Sequence, residues 1–259
     1  MKWRLGVVGS PIAHSLSPQL HESGLALAGL EGTSSRLEIG LEGADQLREL
    51  LLESYDAVSV TMPLKTVAAQ LCDELDDVAT RTGVVNSLLV RGDRVLGACT
   101  DGRGFVKSLE EQFDVDLGAR HAVVLGTGGA AKGIVDALVE AKVSTVTVLG
   151  RTASRVQELV ERYDVVTDND TQGIPVDLIV NTLPATGRPL PTLGRDVHTQ
   201  TIAIDITYEP RMSGWRALYE SQGCRSANGL GMLSYQAALQ MQWWWGVALD
   251  GAKLLEVVQ

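Results

Sequence analysis

The chain has 259 residues, and none of its segments strings together the ~18 apolar residues a membrane-spanning helix needs. Its three cysteines, Cys72, Cys99 and Cys224, show no Cys-x-x-Cys spacing. Cations are scarce: 22 Lys and Arg face 32 Asp and Glu, a formal net charge of -10. The first absence excludes a membrane helix. The second, with an odd cysteine count, weighs against a zinc site or a disulfide framework and favours a reducing compartment. The third argues against non-specific binding to nucleic acid or an anionic membrane, since both need clustered Lys and Arg. The opening "MKWRLGVVGSPIAHS" carries too short an apolar stretch for a signal peptide, so the cytoplasm is the expected compartment. Internal repeats, low-complexity tracts and Ser/Pro-rich linkers are also missing. His14 and His21 lie seven apart with no third ligand in view, so no metal is expected. His121 and His198 read as ordinary surface or strand-start residues.

What is present is a 45% hydrophobic chain in which strand-like and helix-like runs alternate almost from end to end. That alternation predicts an α/β protein with parallel sheets. In the first hundred residues, strands are expected at 4–8, 34–39, 56–60, 84–90 and 95–98, and helices at 18–28, 44–53 and 64–71. "RGDR" (91–94) reads as the hairpin turn between the last two strands. After Asp101 the pattern restarts with a helix over 104–112. Four apolar strands follow, the first two each leading into an amphipathic helix, as in a doubly wound nucleotide-binding domain. A last helix is expected over 231–248. The sequence therefore predicts two α/β domains with a cleft between them: residues 1–101 with 231–259, and residues 102–230.

"VVLGTGGAAKG" places Gly126, Thr127, Gly128, Gly129 and Ala130 between a strand and a helix. Without Cβ atoms the chain turns tightly, a pyrophosphate can approach the backbone, and the helix N-terminus offers unpaired N–H groups. There is no GK[ST], which excludes a P-loop. The next strand, "TVTVLG", ends not in an acidic residue but in Gly150, Arg151, Thr152 and, one turn on, Arg155. Two cations and a hydroxyl suit the extra phosphate of NADP, whereas an acid would accept from the ribose hydroxyl of NAD.

The amino-terminal half places polar groups where strands end. Ser15 and Ser17 lie between a strand and a helix; Ser17 also reads as that helix's N-cap, worth ~1 kcal/mol. Thr61 and Lys65 follow "AVSV", Asn86 sits in "GVVNSLLV", and Thr100 and Asp101 close another strand. In open α/β sheets, ligands bind outside the carboxyl ends of strands. Hydroxyls, an amide, a carboxylate and a cation gathered there predict a small polyhydroxylated ligand.

"SPIAHSLSP", "VTMPLK", "VVNS", "TDGRGF", "GTGGAAKG" and "GLGMLSYQAA" together resemble the shikimate dehydrogenase family, in order and across essentially the whole chain. The resemblance implies NADPH-dependent reduction of 3-dehydroshikimate to shikimate, on the way to aromatic amino acids. It implies Lys65 and Asp101 as the catalytic pair. Ser15 and Ser17 would hold the substrate carboxylate, Thr61, Asn86 and Gln236 the ring hydroxyls or carboxylate region, and Tyr208 in "DITYEP" would also approach the carboxylate. Residues 126–130 with Arg151 and Thr152 correspond to the cofactor loop and phosphate clamp. The chain departs from the family pattern at Ser59, Cys99 and Gly150, each usually Asn, and in "NTLPATG" (181–187). The intact Ser-x-Ser pair and the missing acid at the clamp point to shikimate and NADP over quinate and NAD. A monomer or homodimer is the expected assembly.

An ammonium beside a ketone being reduced stabilises the charge that develops on oxygen and can supply the proton. Lys65 suits that task, with Asp101 orienting it. Either residue can serve as the formal acid or base.

Overall fold

The structure, a computed structural model, describes residues 2–168, 173–184 and 197–259. The chain divides into two compact units, Met1–Phe105 with Leu233–Gln259, and Val106–Met232.

The first unit is built on β1 (Lys2–Gly9), α1 (Ser17–Ala28), β2 (Glu31–Glu38), a 3-10 turn (Leu41–Gln46), α2 (Leu47–Ser54), β3 (Ala57–Val60), α3 (Lys65–Leu71), β4 (Glu74–Leu75), α4 (Asp77–Thr82), β5 (Ser87–Arg91) and β6 (Arg94–Ala98). Its sheet runs β2-β1-β3-β5-β6-β4. β3, with the sequence AVSV, is buried throughout because it sits between neighbours and under helices. Val58, Val60, Leu64, Leu88 and Val95 pack there into one apolar cluster. The edge strand β2 shows the alternating exposure of a strand with one wet face.

The sheet is mixed, as the hairpin expected between its last two strands requires. β5 runs antiparallel to both β3 and β6, because the "RGDR" hairpin, with Gly92 at φ 64, reverses the chain after only two residues. The expected strand at 84–90 starts at Ser87, and the expected helix at 44–53 divides into the 3-10 turn and α2.

The second unit carries β7 (His121–Leu125), α6 (Gly129–Glu140), β8 (Thr145–Leu149), α7 (Ala153–Arg162), β9 (Val166–Thr167), β10 (Leu178–Asn181), β11 (Ile202–Asp205), α8 (Gly214–Ser221) and β12 (Arg225–Asn228). The order β12-β11-β10-β7-β8-β9 is parallel throughout. The chain winds one way from β7 and the other way from β10, so the unit is doubly wound and Rossmann-like, with its switch point between those two strands. His121, expected on the surface or at a strand start, opens β7 but is buried, bonded to Thr147 Oγ1 (3.1 Å) and the Pro175 carbonyl (3.2 Å). Asp101 opens a further helix, α5 (Asp101–Phe113), and α9 (Leu230–Trp245) and α10 (Gly251–Val258) close the chain. The division between the units falls inside α5 and α9.

Candidate active site

Three strands of the first sheet leave through one end: β1 into Ser10, β3 into Thr61, and β6 into Cys99, Thr100 and Asp101. Antiparallel β5 enters through that same end, so Asn86 joins them, its carbonyl accepting from Val60 N (2.8 Å) and its N–H donating to the Ala98 carbonyl (3.1 Å). The reversed strand is what brings an amide to a place where parallel strands deliver hydroxyls and a carboxylate.

Lys65 is the first residue of α3, and Asp101 the first of α5. Lys65 Nζ donates to Asp101 Oδ2, with the two side chains only 15% and 5% exposed. Asp101 Oδ1 accepts from Asn86 Nδ2 (3.1 Å), and the same amide donates to Gln236 Oε1 (2.9 Å). Thr100 fixes which way that amide points, since its N–H donates to Asn86 Oδ1 (2.8 Å). Lysine, carboxylate and two amides, spread over 172 sequence positions, thus form one connected cluster. A lysine held this way by a carboxylate keeps further N–H bonds for a ligand.

Helices α5 and α9 meet closely within this unit. A Cβ at Gly104 would overlap the main chain of Gln236. The glycine therefore lets the helix carrying the carboxylate approach the helix carrying Gln236.

Ser15 and Ser17 are both buried at the start of α1. Ser17 is not the N-cap: Leu16 occupies that position without a side-chain cap, and Ser15 Oγ accepts from the Ser17 N–H (3.3 Å). The helix begins one residue earlier than expected, with Pro18 in its first turn rather than at its first position. Arg36, which sequence reasoning passed over, donates twice to the Ser15 carbonyl (2.6 and 3.1 Å) and so holds the serine loop in place. Thr61 is half-buried beyond β3, four residues ahead of Lys65. Behind the cluster, Ser59, fully buried His21 and Gln240 form hydrogen bonds that no local motif announces. Burial pushes the Cys72 and Cys99 thiols up to about 12 and holds His21 down at about 3. Among the described residues, no group of three His, Cys, Asp or Glu is placed to hold a metal ion.

In the second unit, β7 runs into Gly126 at φ 118, where a Cβ would collide with Thr182 Oγ1 just after β10. Thr182 is itself tied back to the Leu125 carbonyl through its N–H (2.9 Å) and hydroxyl (2.8 Å). Gly128 caps α6 without a side-chain bond, no acid stands in the helix's first turn, and a Cβ at Gly128 would meet nothing within 4 Å. Gly129 and Ala130 open the helix. These residues fit a pyrophosphate: a tight turn, an approachable backbone and an uncapped positive helix end at the switch point.

Arg151, Thr152 and Arg155 are exposed past β8. Thr152 holds the N-cap position of α7, yet its hydroxyl makes no cap bond. Beside them lies a cavity of about 450 Å³ lined by Leu149, Gly150, Ser154, Gln157 and Asp168, among others. Gly150 has a packing reason, because a Cβ there would stand 2.8 Å from the methyl of Thr127. Tyr208 also belongs to this unit, half-buried in the turn after β11. Of "NTLPATG", residues 185–187 lie outside the described residues.

The family model described as the shikimate dehydrogenase substrate binding domain matches residues 7–88, and the one described as shikimate / quinate 5-dehydrogenase matches residues 107–181. The chain is 34% identical to a curated shikimate dehydrogenase (NADP(+)) of Exiguobacterium sp., over 97% of either chain. It is also similar to two crystal structures of shikimate 5-dehydrogenase from Thermus thermophilus. The one in complex with shikimate has a TM-score of 0.88 at 30% identity, covering 98% of this chain and 97% of that one. The one in complex with NADP(H) and shikimate has a TM-score of 0.86 at 31% identity, covering 98% of each.

Proposed function

Because this chain belongs to the shikimate dehydrogenase family, we propose that it is the NADP-dependent enzyme that interconverts 3-dehydroshikimate and shikimate, in the biosynthesis of aromatic amino acids. The observation that carries the reading is the connected Lys65–Asp101–Asn86–Gln236 cluster at one end of the first sheet.

NADPH, when bound, supplies the hydride for the ketone carbon. Gly126, Thr127, Gly128, Gly129 and Ala130 would hold its pyrophosphate, and Arg151, Thr152 and Arg155 its 2′-phosphate. Lys65 stabilises negative charge on the substrate oxygen and passes it a proton; in the oxidation direction a neutral Lys65, or Lys65 acting with Asp101, takes that proton back. Asp101 orients the ammonium. Ser15 and Ser17 receive the substrate carboxylate, with Tyr208 contributing to that end, while Thr61, Asn86 and Gln236 read the ring hydroxyls or the carboxylate region. A planar carboxylate with several ring hydroxyls matches this donor-rich set. The chain works as a monomer or homodimer in the cytoplasm, where its free cysteines suit the reducing setting.

The purified protein, assayed with shikimate and with quinate against NADP⁺ and NAD⁺, tests this directly. Shikimate with NADP⁺ is expected to give the highest kcat/KM of the four pairs. Faster turnover of quinate, or of the NAD⁺ pairs, would move the assignment to a broader polyol-acid dehydrogenase. Tight NADPH binding with no turnover of either acid would make the chain a non-catalytic relative.

A further inference from the structure

Asn86 is gripped at both ends by one helix. From α9, Gln236 Oε1 accepts from its side-chain amide (2.9 Å), and one turn later Gln240 Nε2 donates to its main-chain carbonyl (2.7 Å). Gln240 is completely buried, and its other amide atom faces backwards, Oε1 accepting from Ser59 Oγ (2.6 Å). Ser59 Oγ is also 2.8 Å from His21 Nε2, and His21 Nδ1 is 2.8 Å from Ser34 Oγ.

The direction of this chain follows from its last member. A carbonyl only accepts, so the end of Gln240 that faces it must be NH₂, leaving its oxygen toward Ser59. Ser59 spends its single proton on that oxygen and must accept from His21. His21 therefore carries its ring proton on Nε2 and accepts from the Ser34 hydroxyl at Nδ1. Every proton is assigned, and all the bonds run one way, from Ser34 to the Asn86 carbonyl. This requires a neutral imidazole, which the burial of His21 enforces. A peptide carbonyl hands no proton onward, so the chain orients groups and does not conduct protons.

We propose that His21, Ser59 and Gln240 are positioning residues whose one-way hydrogen-bond chain sets the orientation of Asn86, and through it the Asp101 carboxylate that holds Lys65. The proposal rests on the reading of Lys65 and Asp101 as the catalytic pair. Gln240, on α9, links Ser59 of β3 to the Asn86 carbonyl. The pair works only together, since either residue alone would leave a buried polar atom unpaired.

The kinetic test is a double-mutant cycle. Gln240→Leu is expected to lower kcat by roughly 10- to 100-fold, the cost of a small misplacement of catalytic groups, with the KM for NADP⁺ unchanged. In an Asn86→Ala background the same substitution should cost almost nothing more, because its only route to the catalytic pair is already cut. Ser59→Ala should lower kcat by about tenfold, and Ser59→Thr, which keeps the hydroxyl, should restore it. A loss in Gln240→Leu that multiplies fully with that of Asn86→Ala would overturn the proposal, as would equal activities for Ser59→Ala and wild type. Should Gln240→Leu fail to fold, the Ser59 pair and the wild-type imidazole decide. Nitrogen NMR of the wild type should show His21 neutral with its proton on Nε2, and the Nδ1–H tautomer would break the chain's direction. If the wild type turns over no shikimate, the catalytic reading falls. The chain is then judged separately, by that tautomer and by slow exchange of the Asn86 side-chain amide, which must quicken in Ser59→Ala.

Discussion

The two units build their candidate sites from different materials. In the first, the cluster at the sheet end is made of side chains: an ammonium, a carboxylate and two amides drawn from α3, α5, α9 and the start of β5, each bonded to another side chain. In the second, the turn after β7 is made of backbone, with glycines that matter for the Cβ they lack. A side-chain site fails through the loss of one functional group, whereas a backbone site fails only when an added atom blocks it. Substitutions should separate the two along these lines.

The largest contrast is expected at Lys65. Lys65→Ala should lower kcat by ~10²–10⁴, the range for lost acid–base assistance, while the Kd for NADP⁺ stays within about twofold as read by fluorescence titration. A comparable loss of nucleotide affinity would erase the division of labour. The network behind the first site carries a pH signature of its own. His21 is held neutral down to about 3 in the fold, against an ordinary value of 6.5. Between those values the unfolded chain binds a proton that the folded chain refuses, so stability rises with pH and is lost on acidification. For this residue alone the loss from pH 6.5 to about 4.5 comes to roughly 2–3 kcal/mol. Urea unfolding at a series of pH values should give a flatter profile in His21→Gln than in wild type.

The glycine turn gives the next effect. Gly126→Ala forces a strained φ and a collision with Thr182, so melting temperature and NADP⁺ affinity should fall together, the latter by roughly 10- to 100-fold. Gly128→Ala meets no protein atom and should spare the melting temperature while still weakening the nucleotide. Neither should alter shikimate affinity; a change in it would mean the two sites are not built independently. The smallest effect is at the clamp. Arg151→Ala should weaken NADP⁺ by about tenfold and NAD⁺ far less, since only the former carries the 2′-phosphate. Equal losses would remove Arg151 from the clamp.

Apolar strands and the motifs at their ends were legible in the sequence, because a buried strand must be apolar and a ligand must meet polar atoms where it stops. β1, β3, β7 and β10 fall where their hydrophobic runs lie. β12 reads "RSAN" and is held at the sheet edge by its ladder with β11 and by side-chain bonds of Arg225 to the Phe113 carbonyl and of Ser226 to Arg216 and Glu220, partners that composition does not encode. β4 and β9, two residues each, are likewise products of neighbouring strands. α4, α8 and α10 are short helices with side-chain caps at Asp76, Ser213 and Asp250, signals readable only once the flanking strands are fixed. At the site, residues within motifs could be found, while His21, Ser59 and Gln240 could not be linked. Their positions are 38 and 181 residues apart, and only folding makes them neighbours.

The contact at Gly104 carries a further consequence. Because nothing larger than hydrogen fits between that residue and the peptide of Gln236, the spacing between the acid-bearing helix and the amide-bearing helix is set by an atom that is missing. A single methyl introduced there would act as a wedge, prising apart two partners while leaving every chemical group in the pocket intact. Such a variant would be inactive with a full complement of reactive side chains, a defect of spacing that no inventory of residues would reveal.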